Sequence, residues 1–165
     1  MTIEVPRAHQ IFVNARAILW REGKSGIEYV VQMRDRPGQQ QSLEFPGGTV
    51  EAHEALLTAL RREVREETGL EVEEIEGQAV EHSGMESTVE CLEPFAVYQT
   101  TRGFNGMGVY FRCRAKGVLL TEGDGTRAIR WMPEAELASR LADNPDQFNA
   151  MTAAVLNLMR QKKLL

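Results

Sequence analysis

Apolar and polar positions alternate loosely over residues 10–20 (QIFVNARAILW), a β-rich stretch that predicts a strand. Residues 21–26 (REGKSG) read as a hairpin-type turn, and 27–34 as a second strand. Residues 35–42 form a polar loop, and Leu43-Glu44-Phe45 is a short strand leading into Pro46-Gly47-Gly48. The period then changes. From residue 55 to 68, at about 100° per residue, Leu57, Leu60 and Val64 fall on one stripe of a helix. Gly69 supplies the stop.

Beyond the helix, residues 71–80 are strand-like and acidic, and 82–87 read as a break. Residues 94–101 and 107–115 predict paired strands around a Gly-containing turn, 119–126 a flexible acidic loop, and 128–131 a last strand. Pro133 at a first helical position opens a short helix to about residue 142. A final helix is expected to open on Asn144 as N-cap, with Pro145 at N1 and Gln147 at N3. It should run to about residue 162, with Phe148, Met151, Val155 and Met159 as its apolar stripe. Strands on both sides of one central helix make this a layered α/β domain, single over residues 1–165, without internal repeats or linkers.

The central helix also carries chemistry. Glu63 and Glu67 at i, i+4, with Glu66 beside them, crowd three carboxylates on adjoining turns. Such crowding costs stability unless a cation intervenes, and an all-oxygen cluster suits Mg²⁺ or Mn²⁺. A solvated Glu/Arg face is the plain alternative for an isolated E-x-x-E-E. The paired glycines Gly47 and Gly48 let backbone turn sharply and approach a ligand or metal closely, as would an ordinary strand-to-loop turn.

The wider spacing separates these readings. Gly48, five residues, Glu54, seven residues, then Arg62-Glu63-Val64-Arg65-Glu66-Glu67-Thr68-Gly69-Leu70 matches G-x5-E-x7-R-E-U-x-E-E-x-G-U at all nine specified positions. The chain resembles a Nudix hydrolase, and Leu43-Glu44-Phe45-Pro46-Gly47-Gly48 resembles the MutT-like branch. The resemblance implies an α/β/α sandwich around a mixed β-sheet. It implies Mg²⁺-dependent (or Mn²⁺-dependent) cleavage of a nucleoside diphosphate linked to another group. Glu63, Glu66 and Glu67 would hold metal with the Gly47 carbonyl, and Glu122 is a further candidate ligand from a late loop. Glu63 is the favoured general base. Arg62 and Glu54 would bridge and orient the loop. Glu44, Gly47, Gly48 and Asn149 are the candidate substrate-binding residues, with a free strand edge as the alternative for Glu44.

Markers of the coenzyme A and NADH subfamilies are absent. The Pro or Tyr that, about sixteen residues past this Gly48–Leu70 motif (the Nudix box), marks ADP-ribose or dinucleoside polyphosphate enzymes is missing too, the next being Pro94 and Tyr98. The first expectation is therefore hydrolysis of a (d)NTP to (d)NMP and pyrophosphate. A nucleotide-sugar or ADP-ribose pyrophosphatase comes second, and a non-catalytic nucleotide sensor third. The segment 94–115 would line a base pocket or an oligomer face.

Composition narrows the partners. At 165 residues and 42% hydrophobic, the chain is long enough to bury a core. A net charge of −5 argues against binding duplex nucleic acid. No apolar run approaches the ~18 residues of a membrane span, and Met1-Thr2-Ile3-Glu4-Val5-Pro6 carries no signal-peptide core. The expectation is a cytoplasmic protein acting on a small nucleotide. Cys91 and Cys113 are expected to be reduced cysteines on or near strands. Family relatives are often dimers, so a homodimer is compatible.

Overall fold

The structure, a computed structural model, describes residues 10–165; residues 1–6, on which the signal-peptide reading falls, lie outside the described residues. Two long strands, β1 (Phe12–Gly23) and β2 (Gly26–Arg34), form a hairpin. Short β3 (Leu43–Glu44) and β4 (Gly47–Thr49) lead into α1 (Leu56–Thr68). There follow β5 (Glu71–Ile75), β6 (Ala79–Ser83), β7 (Thr88–Leu92), β8 (Ala96–Gln99), β9 (Gly106–Lys116), β10 (Glu122–Gly123) and β11 (Thr126–Pro133). The chain closes with α2 (Glu134–Asp143), a 3-10 turn (Pro145–Gln147) and α3 (Ala150–Gln161).

The main sheet runs β10-β11-β2-β1-β9-β5, with β3 beside β2, β4 beside β1 and β8 beside β9. Its strands pair antiparallel except β1 with β9, which run parallel, so the sheet is mixed. Alternation along β1 divides the core. Ala15, Ala17 and Leu19 pack towards Ala59, Leu60 and Val64 of α1. Ile18 joins Tyr110, Leu137 and Leu141 of α2, and Val155, Leu156 and Met159 of α3. Helices thus cover both faces, which is the expected sandwich.

Three stretches differ from their sequence expectations. β1 continues to Gly23, so the turn shrinks to Lys24-Ser25. The acidic strand expected over 71–80 breaks at Gly77 (φ 102°), and its far part pairs with β7 as a separate two-stranded hairpin. The break expected at 82–87 narrows to residues 84–87, with His82 and Ser83 closing β6. The last helix begins five residues late, at Ala150 rather than Pro145. Phe148 adopts extended backbone and buries its ring, forming a bridge to Leu43, so α3 can start only at Ala150. Asn144 precedes a 3-10 turn, and Asn149 is the N-cap, its Oδ1 accepting from the Thr152 amide at 2.8 Å.

The loop expected at 119–126 is anchored to the box helix. It contains β10, and the Leu120 amide donates to the Thr68 carbonyl at 2.9 Å. Both cysteines are free, Cys91 exposed on β7 and Cys113 buried on β9. Among the described residues no helix is long and apolar enough to cross a membrane.

Candidate functional site

The site begins where β4 meets α1. Gly47 has φ 141°, and a side chain there would collide with the Ala15 carbonyl, so only glycine allows β4 to lie this close to β1. A Cβ on Gly48 would run into the Glu63 carboxylate, so that bare Cα leaves the carboxylate its room. The Gly47 amide donates to Glu67 Oε2 at 2.8 Å, and Gln32 Nε2 donates to the same oxygen at 2.7 Å. Glu67 is 2% exposed. Burial pushes its carboxyl up to about 7 against the pull of those two donors, with Glu44 adding to the rise and Arg16 opposing it.

Arg62 is the hub of the exposed side. Its guanidinium grips Glu54 through two bonds, Nε to Oε1 at 2.8 Å and Nη2 to Oε2 at 2.9 Å. It also reaches Glu63 Oε1 at 2.8 Å, Glu66 Oε2 at 3.3 Å and the Thr49 carbonyl at 3.1 Å. One side chain therefore ties the loop after β4 to α1. Its hydrogen bonds lower the Glu54 carboxyl to about 2. Glu63 moves the other way: burial raises it and Glu66 adds to the rise, while Arg62 and Arg36 oppose.

These carboxylates are engaged on one side only. Glu67 receives both its bonds on Oε2, Glu63 receives its bond on Oε1, and Glu66 on Oε2. Among the described residues each retains a second oxygen without a hydrogen bond. That free set of carboxylate oxygens, beside bare glycine backbone, fits a hard dication such as Mg²⁺ or Mn²⁺ and contains no nitrogen or sulfur donor. As the side chains stand, no three His, Cys, Asp or Glu of the described residues are gathered in a chelating group. Glu122 lies exposed on β10, joined to α1 by no side-chain bond, although the adjacent Gly123 packs on the Glu67 backbone.

From Thr49 and Asn14 a cleft of about 660 Å³ opens toward the start of α3. Glu44 lies beside it, 2% exposed, accepting from Asn149 Nδ2 at 2.7 Å and from Arg34 Nε at 3.3 Å. The structure thus brings Glu44 and Asn149 together, with neither at a free edge. Sequence reasoning missed the lining cations Arg16, Arg34, Arg36 and Arg102, the aromatic Phe104, and Gln32 behind Glu67. A signal existed for two of them. Arg16 and Gln32 are polar residues within apolar strand runs, and each is buried.

Residues 11–153 match the family model for the NUDIX domain. A "MutT-like protein" of Streptomyces ambofaciens is 32% identical over 101 residues, which cover 61% of this chain and 53% of that protein. The chain therefore spans about half the length of the curated relative it matches. Among solved structures, a MutT NUDIX hydrolase from Burkholderia pseudomallei aligns with TM-score 0.60 and 20% identity, covering 90% of this chain and 98% of that one. A NUDIX hydrolase from Nitrosomonas europaea aligns with TM-score 0.67 and 18% identity, covering 94% and 73%. Those two likenesses concern the fold alone, but the domain match spans most of the chain and contains the whole carboxylate helix and its glycine loop. The chain belongs to the Nudix family.

Proposed function

We propose that this chain is a metal-dependent pyrophosphohydrolase that cleaves a nucleoside diphosphate linked to a further group. The simplest such substrate is a (d)NTP, giving (d)NMP and pyrophosphate. The observation that carries the reading is the set of three box carboxylates, each with an unengaged oxygen, standing where the glycine loop opens into an arginine-lined cleft. Bound Mg²⁺ or Mn²⁺ would neutralise diphosphate charge and acidify the attacking water.

The chain's own residues do the rest. Glu63, Glu66 and Glu67 would hold the ion, with the Gly47 carbonyl and Glu122 as further candidate donors. Glu63 accepts the water proton as oxygen adds to phosphorus and the P–O–P bridge breaks toward the leaving phosphate. Its elevated carboxyl and its single bond from Arg62 suit a group that must take up a proton. Arg62, fixed by Glu54, keeps α1 and the loop in register. Glu44 and Asn149 orient the nucleoside at the cleft. This work belongs to a small-molecule enzyme, for which a cytoplasmic setting is proposed.

The cleft also accommodates the larger second candidate, a nucleotide sugar or ADP-ribose, its size and four arginines being the observation in favour. A nucleotide panel with and without Mg²⁺ decides. Pyrophosphate from a dNTP supports the first reading and AMP from ADP-ribose the second. Binding of nucleotides without turnover under any divalent metal would make the chain a sensor and end the enzymatic proposal.

A further inference from the structure

The box helix opens without a cap of its own. At the N-cap, Ala55 offers no side-chain acceptor, and the first turn of α1 contains no acid. Such a start leaves amides bare and the positive end of the helix dipole unopposed. The acceptor comes instead from a strand 34 residues further on: the Leu56 amide donates to Glu90 Oε2 at 3.1 Å. Glu90 belongs to β7, in the two-stranded hairpin that stands apart from the main sheet and contributes no residue to the cleft. Alternation along β7 turns Glu90 and Leu92 inward, half-buried, and leaves Val89 and Cys91 exposed. Leu92 packs on the apolar cluster that includes Ala59, Leu60 and Val64 of α1. Directly opposite Glu90 in the hairpin register stands Glu81. Two acids facing each other across a strand pair are unfavourable, and the amide end of α1 beside Glu90 offsets that cost.

The Leu56 amide matters because of what precedes it. Two residues earlier, Glu54 receives two bonds from the Arg62 guanidinium, which also reaches Glu63 and Glu66. The loop carrying Glu54 is strained, since His53 holds φ 62°, a left-handed conformation in a residue with a Cβ. Its inner bonds do not fix it to the fold: the Glu54 amide donates to the Glu51 carbonyl and the Glu51 amide to the Glu54 carboxylate. Upstream, the Val50 amide anchors the loop to the Val13 carbonyl of β1 at 2.8 Å. Downstream, full burial on α1 begins only at Ala59, and Glu90 holds the turn before it.

We infer that Glu90 is a positioning residue for the hydrolysis: by holding the first amide of α1 it fixes the loop that carries Glu54, and through Glu54 and Arg62 the spacing of the box carboxylates around the ion. The inference rests on the reading of those carboxylates as the metal site of a pyrophosphohydrolase. It gives the β6–β7 hairpin, remote from the cleft, a part in the reaction.

The test compares Glu90→Ala, Glu90→Gln and, as a control for charge alone, Glu81→Gln, all measured well below their melting temperatures. Glu90→Ala should lower kcat and Mn²⁺ affinity together, each by about three- to tenfold, less than the ~10–100-fold of partners that touch metal ligands themselves. KM for the nucleotide should stay within about twofold, because no substrate contact is removed. Glu90→Gln keeps an oxygen for the Leu56 amide and should recover most of both losses. Glu81→Gln, whose side chain bonds to no described residue, should match wild type. Mn²⁺ binding, followed by electron paramagnetic resonance, needs no turnover and so separates the two levels of the argument. A protein that binds Mn²⁺ but hydrolyses no nucleotide sinks the enzymatic reading alone, and the Mn²⁺ affinities of the variants then judge Glu90; a wild type that binds no Mn²⁺ sinks both. A lower melting temperature in Glu90→Ala with kcat and Mn²⁺ affinity unchanged would make the bond structural only and overturn the inference. So would a Glu90→Gln no better than Glu90→Ala, or equal losses in Glu81→Gln.

Discussion

Asn149 Nδ2 donates to Glu44 Oε2 at 2.7 Å, joining two residues 105 positions apart at the cleft wall. The same Asn149 side chain caps α3 through Oδ1. One amide therefore starts the helix and holds a buried carboxylate in place. Asn149→Ala should lose the cap, worth about 1 kcal/mol. It should also remove one bond from a buried acid, worth about 1–2 kcal/mol more. Asn149→Ser should recover the cap alone. Urea unfolding midpoints in the order wild type, Ser, Ala would agree; equal midpoints for Ser and Ala would show that the cap contributes nothing. Both variants should raise KM for the nucleotide.

Glu67 and Arg62 test the division of labour on α1. Glu67→Gln preserves shape and the acceptor for the Gly47 amide while deleting the charge. It should cut kcat by more than about a hundredfold, beyond the ~10–100-fold typical of residues that act on metal ligands indirectly. Arg62→Ala should fall within that indirect range, since Arg62 holds Glu54, Glu63 and Thr49 in place. Circular dichroism should show both folded. Wild-type turnover in Glu67→Gln would refute its metal role, and a larger loss in Arg62→Ala would place Arg62 in the chemistry.

Gln32 stands behind Glu67, fully buried, with its Oε1 unpartnered among the described residues. Gln32→Leu removes an amide whose acceptor half goes unused, so the stability cost should stay near 1–2 kcal/mol. The larger effect should be on the ion, because Glu67 loses a donor that fixes its orientation. Mn²⁺ affinity, followed by electron paramagnetic resonance, should fall about 10–100-fold. Unchanged Mn²⁺ binding would mean that Gln32 merely fills space.

The legibility of these parts in the sequence follows from how local their causes are. The α1 stripe and Gly69 stop were readable because helix period and capping act within a few residues; Leu60 and Val64 are buried and Gly69 is left-handed. The β8–β9 pairing was readable for the same reason. The β6–β7 hairpin was not, because nearly all its residues are exposed and no face imposes an alternation. Asn144 and Asn149 carry the same capping chemistry, and only the long-range burial of Phe148 chooses between them. The carboxylates form a contiguous motif. The cleft arginines come from β1, the end of β2, the loop beyond it and the loop before β9, and only the folded sheet brings them together.

Away from the site, Glu136 on α2 accepts from Arg130 of β11 and from Arg140 one turn on, at 2.8 Å from Arg140 Nε. These bonds, Arg130 first, lower its carboxyl to about 2 from an ordinary 4.5. A carboxyl lowered in the folded state binds fewer protons there than in the unfolded chain. Its contribution is therefore complete above about pH 4.5 and disappears as pH falls through about 2. The side chain is 34% exposed, so solvent screening should hold the contribution to about 1 kcal/mol or less. Glu136→Gln should be slightly less stable than wild type at neutral pH, and the gap between their urea midpoints should close as the pH approaches 2. A gap that stays constant from pH 7 to pH 2 would mean that α2 is held on the sheet by Leu137 and Leu141 packing alone, and that the arginine pair adds nothing.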